Sequence, residues 1–506
     1  MPSSYSLTGL RAGTFPRVDL WIVATIVLTI AAGLVDFLAD PDQRLWSLII
    51  SSFVFGFTLL LCPACRPRKR YSICPINWAI LVFFLQLVAL PFCVVIFGAA
   101  EGALRSLPSQ SALNAAILIN DGAFVAFCVG YQITLKRRQR AMRYLKAPSA
   151  ALIGCFLCAG IIGFVATFKS IPNIVEYYMY PASRLVPLAE ETTVAAALGT
   201  FLRPFLGFAC IAYLCRRVHR PFQSKKQAIL FTVACLTVAS IAQLSFSYDR
   251  VVFVVPVICG VAVFSRHIVK IRPLVLVLLA SAAAVPLLFI GTYRNTQLRV
   301  TDLVEDPYAI RGLLDKTEIG QFFQVYGSAP QFTAFVVENL WWPNDLLYGR
   351  SLVASLLYPV PVLGKPFRDE SGVSIYNRLI YGNSETIDQV MPFEAEVLIN
   401  FGVTGVLISF CLLGVLLHRL QSHFDSSRSA VDTLVALYFG IWFVSLAYSS
   451  LAVLSQIMIY MSLPIYALML AKRATPRMAL RHMNPNAMEW RNDSSGPTPT
   501  NAMSAM

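Results

Sequence analysis

The stretch MPFEAEVLINFGVTGVLISFCLLGVLL, residues 391–417, decides how the chain is read. Two carboxylates, Glu394 and Glu396, stand directly before a run from Val397 to Leu417 that holds no charged residue. About 20 mainly apolar residues cross roughly 30 Å of hydrocarbon as a helix, so this run predicts a membrane span. Working outward, the same pattern recurs at 19–38, 45–61, 74–99, 111–134, 149–168, 193–215, 227–246, 251–264, 273–291, 430–447 and 451–470, which makes twelve expected spans. The composition agrees: 57% of the 506 residues are hydrophobic, and a mean hydropathy of +0.64 excludes a string of soluble domains.

The net charge of +14 would suggest a nucleic-acid partner in a soluble chain. In a polytopic protein it must first be assigned to loops, because Lys and Arg collect on the cytoplasmic side. Alternating from a cytoplasmic N-terminus, one side takes 27 basic residues, including the run Lys136–Lys146, while the short loops opposite take 5. Both termini are therefore expected in the cytoplasm, the charge reads as a topology signal, and no nucleic acid is implied. The first apolar stretch is too long for a cleaved signal. The tail from 474 to 506, rich in Asn, Ser, Pro and Met, is expected to be disordered and cytoplasmic.

The expected organisation is nine spans over 1–291, one large outer loop over 292–396, three spans over 397–473, and the tail. A loop of that length in a compact membrane domain points to function. Within it, 310–326 and 331–340 have amphipathic helical patterns, and 348–361 suggests an interfacial or re-entrant element. All five histidines fall on the cytoplasmic side, so outer-face chemistry has no His base. No Walker A or GxGxxG sequence is present, no metal or cofactor is implied, and the Cys62–Cys65 pair lacks a fourth ligand.

Charges at membrane depth are costly and mark functional candidates. Arg203 lies ten residues into the sixth span and precedes Pro204, which is expected to kink the helix and free backbone groups; the purely structural reading of Arg203 is a pair with Asp121 or a backbone carbonyl. Arg250, in the turn Ser247–Arg250, and Arg294, after the ninth span, open toward the same side, against the topology bias. Glu394 and Glu396 lead into the tenth span opposite them. Guanidinium groups hold phosphate in a fork at any pH and can bind a diphosphate without metal. A carboxylate beside them, an aromatic-rich loop and a lipid boundary together suit a lipid diphosphate that carries a polar headgroup.

At these residues the chain resembles the bacterial oligosaccharide repeat unit polymerases, the Wzy-type O-antigen and capsule polymerases. The resemblance rests on Glu396–Gly405 (EVLINFGVTG), on the polar turn Ser247–Arg250, and on Tyr348–Ser351 with the later prolines. It covers the seventh to tenth spans; the first six match in type only. It implies an all-α, GT-C-like glycosyltransferase of the bacterial inner membrane. Such an enzyme acts on undecaprenyl-diphosphate-linked oligosaccharide in the bilayer, with chain-length regulators and export proteins as partners. It further implies that Arg203, Arg250 and Arg294 hold diphosphates, that Glu396 accepts the proton of the acceptor hydroxyl with Asp249 and Glu394 as substitutes, and that Tyr348, Arg350 and Arg378 line the glycan path. A flippase for the same lipid would be expected to show two similar halves, which the sequence lacks. An O-antigen ligase would be expected to use an outer histidine.

Overall fold

The computed structural model describes residues 46–66, 72–89, 108–134, 144–168, 171–179, 194–218, 222–244, 250–271, 329–340, 345–360, 364–382, 391–470 and 473–474. The expected spans 19–38 and 273–291, the stretch 310–326 and the tail beyond 474 lie outside these residues.

The described chain is helical apart from one two-residue antiparallel pairing, Tyr144–Leu145 with Arg473–Ala474. Its helices are α1 (Trp46–Leu61), α2 (Pro75–Phe84), α3 (Gln110–Ile133), α4 (Ala150–Phe168), α5 (Ile171–Met179), α6 (Val194–Leu202), α7 (Pro204–Arg217), α8 (Lys225–Leu244) and α9 (Arg250–His267). There follow α10 (Ala329–Asn339), α11 (Arg350–Leu357), α12 (Gly372–Tyr381), α13 (Phe393–Ser426), α14 (Ala430–Val444), α15 (Leu451–Gln456) and α16 (Leu463–Leu470).

Among the described residues six helices are long and apolar enough to cross a membrane, and a seventh span forms when the pair Leu451–Met461 and Leu463–Leu470, bent by 55°, counts as one. The remaining expected spans are three shorter apolar helices, Ile50–Leu61, Pro75–Ala89 and Val254–His267, and the two segments outside the described residues. Of the twelve expected spans, the described residues thus hold six to seven as helices of crossing length and three as shorter apolar helices. The apolar side chains that α4 and α8 leave exposed, among them Ile161, Val165, Leu230 and Val233, fit lipid rather than water as their surroundings.

The centre is the parallel pair α3 and α13. A Cβ at Gly130 would lie 1.9 Å from the Cys411 carbonyl oxygen, and one at Gly414 would lie 2.0 Å from that of Phe127, so only glycine lets these backbones approach. Phe55, Phe83, Phe124, Phe127 and Phe410 close the space between α1, α2, α3 and α13 as one aromatic layer. Helix α13 runs over 34 residues but is interrupted at Gly402, and its second piece, 403–426, is by itself about 36 Å at 1.5 Å per residue, enough to cross the hydrocarbon. The first turn of α13 stands among α10, α11 and α12, which come from the expected outer loop.

At Arg203 the backbone stays helical (φ −53°, ψ −40°), with Pro204 as the first residue of α7. Proline is tolerated there because the amide it removes belongs to the first turn. The two pieces α6 and α7 thus serve as one span, and the sharp kink expected at Pro204 does not form.

Candidate functional site

The break that matters lies instead at Gly402 in α13, where φ is 65° and ψ is −168°. A side chain rarely adopts that φ, so the sequence Asn400-Phe401-Gly402 places its glycine where the helix must open. Opening frees carbonyls that an unbroken helix would use. Ile399 O accepts the Leu347 amide at 3.0 Å and Asn400 O accepts the Tyr348 amide at 3.2 Å.

The Asn400 side chain completes the joint. Its Oδ1 accepts the Gly349 amide at 2.8 Å, and its Nδ2 donates to Ser351 Oγ at 2.7 Å and to the Glu396 carbonyl at 2.6 Å. Tyr348 (φ 46°) and Gly349 (φ 91°) both take the left-handed conformation to present these amides, and the Phe401 ring lies 3.2 Å from where a Cβ on Gly349 would stand. The two segments 396–405 and 348–351, far apart in sequence, are therefore one bonded unit.

Glu396 is wholly buried beneath this unit. Ser355 Oγ donates to its Oε1 at 2.5 Å, and the same Ser355 oxygen accepts the Gly372 amide at 3.1 Å. The Ser351 hydroxyl and the amides of Gly372 and Leu451 also act on the carboxylate. A Cβ at Gly372 would lie 2.5 Å from Oε1, so α12 reaches the carboxylate only because it begins with glycine. Glu394, also wholly buried, faces a different helix: Thr333 Oγ1 of α10 donates to its Oε1 at 2.6 Å. The acidic pair thus fastens α10, α11 and α12 to the first turn of α13.

Above the buried carboxylate the surface is open and carries charge. Tyr348 is 78% exposed. Arg350 forms a fork with Glu370, Nε to Oε2 at 2.8 Å and Nη2 to Oε1. This guanidinium holds the Glu370 carboxyl below its ordinary value. Arg378 is exposed and donates from Nη2 to the Asp369 carbonyl at 3.2 Å. Sequence reasoning counted Ser351 only as part of a motif and overlooked Lys365, Ser355 and Arg368, whose guanidinium stands 5.8 Å from the centre of the Tyr358 ring. Their signals are faint: a serine at every fourth position of 351–355, and a Lys-Pro-Phe-Arg-Asp-Glu turn ahead of Ser371-Gly372.

Below the carboxylate, an apolar cavity of about 480 Å³ is lined by Leu356, Phe393, Leu412, Leu416 and Met458, with Ser409 and Ser455 as its hydroxyls. Ser455 donates to the Ser355 carbonyl at 2.9 Å, which joins the cavity wall to the Glu396 enclosure.

Arg203 sits farther round. Its Nε donates to the Gly199 carbonyl at 3.3 Å, while Asp121 accepts a hydrogen bond from Ser51, so the carbonyl rather than Asp121 is the partner seen. Phe201 packs on Tyr460 at 4.8 Å between ring centres, and the Tyr460 hydroxyl donates to the Pro359 carbonyl just after α11. Arg250 opens α9, its side chain undescribed; Asp249 and Arg294 lie outside the described residues. The structure thus brings Glu396, Tyr348, Arg350 and Arg378 to one end of α13, with Glu394 one face away.

Set beside known proteins, the chain matches no family model, no curated protein and no solved structure. The class that fold and site define is an all-helical protein with membrane-type helices and a buried carboxylate under a charged rim.

Proposed function

We propose that this chain polymerises undecaprenyl-diphosphate-linked oligosaccharide repeat units at the periplasmic face of a bacterial inner membrane, as a metal-independent glycosyltransferase. The acceptor hydroxyl oxygen attacks the anomeric carbon of the growing glycan, the bond from that carbon to the diphosphate breaks, and the hydroxyl proton passes to a carboxylate. Glu396 is that acceptor, with Asp249 and Glu394 as substitutes. Arg203, Arg250 and Arg294 neutralise the leaving diphosphate, and Tyr348, Arg350 and Arg378 guide the glycan.

The observation that carries the reading is the bonded unit of 348–351 with 396–405. It joins an exposed aromatic and guanidinium rim to the enclosure of a buried carboxylate, with an apolar cavity of about 480 Å³ nearby that has room for part of a polyprenyl chain. Because Glu396 is enclosed, the acceptor reaches it only when α11 and α12 part from α13, and the left-handed glycines Gly349 and Gly382 bracket the segment that would move.

The test uses purified full-length protein with lipid-linked repeat units and no added nucleotide or metal, products being sized on a gel. A ladder is expected. Glu396→Gln is expected to abolish it while preserving the fold, since the amide oxygen still accepts from Ser355. An undiminished ladder from Glu396→Gln removes the carboxylate from the mechanism, and substrate that crosses a vesicle membrane unchanged makes the chain a flippase.

A further inference from the structure

A second polar cluster lies away from this site, inside the helical bundle. Along α1, Ser51 is four residues before Phe55; along α3, Asn120 and Asp121 are four and three residues before Phe124. Phe55 stacks on Phe124 at 5.2 Å, and Phe124 packs on Phe83 of α2 at 4.9 Å. Helix α2 runs against the other two, so Gln86, three residues after Phe83, rises to the same level. It sits in the π-helical turn Leu85–Ala89, a geometry often found at functional sites.

These residues form a polar layer on an aromatic floor, about 17 Å along a membrane-type helix if 1.5 Å is counted per residue from Gln110 to Asp121. Asp121, Asn120 and Gln86 are 4%, 0% and 1% exposed. Ser51 bonds Asp121 Oδ1, and Gln86 Nε2 donates to the Ala447 carbonyl at 2.6 Å. Asp121 Oδ2, Asn120 Oδ1 and Gln86 Oε1 have no partner among the described residues, nor has the donor Asn120 Nδ2.

We propose that this layer binds a sodium ion. Its free valences are oxygens, the ligands of a hard cation, and its one carboxylate balances a single positive charge. An ionised carboxylate in hydrocarbon must be neutralised. A proton on Oδ2 would do that and could be donated to one of the acceptors Asn120 Oδ1 and Gln86 Oε1, leaving the other unsatisfied, whereas a cation can draw on every unpartnered oxygen of the layer. The proposal is independent of the glycan chemistry at Glu396.

The full-length protein in lipid nanodiscs is melted in sodium chloride against N-methylglucamine chloride, at fixed pH and ionic strength. A saturable rise of the melting temperature with sodium is expected, because a ligand of the native state stabilises it. Asp121→Asn is expected to lose the response. Ser51→Ala and Gln86→Leu keep the carboxylate and are expected to need more sodium for the same shift, so the test survives if Asp121→Asn does not fold. A wild-type protein indifferent to sodium overturns the proposal, as does a full response in Asp121→Asn. Stabilisation by acid alone, without sodium, assigns the layer to a proton and overturns it equally.

Discussion

At Gly372 one hydrogen atom decides whether α12 can lie against Glu396. A Cβ there would meet the carboxylate oxygen at 2.5 Å, and a wholly buried, hydrogen-bonded side chain has little room to give. Gly372→Ala is therefore expected to displace α12 and lower the melting temperature, at a cost of about 1–3 kcal/mol, typical of overpacking. Gly402→Ala loses stability for a different reason: φ of 65° with ψ of −168° is a conformation essentially confined to glycine and costs a side chain about 1–3 kcal/mol. Thermal unfolding of both variants in detergent or nanodiscs checks these values. Glu370 gives a pH-dependent counterpart. Its folded pKa is depressed by Arg350, so the pair contributes stability above the unfolded value near 4.5 and loses it as pH falls through the folded one. Exchange of backbone amides in 350–370 should be faster in Glu370→Gln than in wild type at neutral pH, and the two should converge in acid.

At the scale of elements, α10 and α12 meet the start of α13 in an apolar cluster of Phe335, Val336, Tyr376, Ile380, Ala395 and Ile399, and polar side chains fasten α11 to the same end. Asn400 alone supports Gly349, Ser351 and the Glu396 carbonyl. Asn400→Ala is expected to loosen 345–382 without unfolding the bundle, read as new protease cleavage in that segment with the melting of the remaining helices unchanged. Hydropathy made α3, α4, α8, α13 and α14 legible in the sequence, because burial or lipid contact over 18 or more residues leaves a continuous signal. The motif residues of 396–405 were legible as well. Their meaning was not, since Asn400 and Glu396 act on Ser351, Ser355 and Gly372 across separations that no local pattern encodes. Arg203 misled for the converse reason. A Pro after it reads as a kink, yet at the first position of α7 the missing amide costs no hydrogen bond.

For the whole molecule, helix directions make the charge reading testable. Helices α3 and α13 run parallel, since Gly122 meets Leu407 and Gly414 meets Phe127 in the same order along both chains. The Ser109 amide at the start of α3 donates to Glu338 of α10 at 3.0 Å, so the starts of α3 and α13 share one end with α10–α12. The far end gathers the basic side: Arg266 donates to the carbonyls of Asp425 and Ser427, and Asp432 accepts the Leu145 amide and pairs with His423 at 3.4 Å. If the +14 reflects loops held in the cytoplasm, these two ends face opposite compartments. Cysteines placed one at a time at the exposed positions Arg368 and Arg428, in a variant whose exposed Cys155 and Cys158 are replaced by alanine, separate the ends. A membrane-impermeant maleimide added to intact spheroplasts is expected to label Arg368→Cys, and to label Arg428→Cys only after the membrane is opened. Labelling of Arg428→Cys in sealed cells would invert the protein, place the Glu396 rim in the cytoplasm, and remove the periplasmic polymerase reading with it.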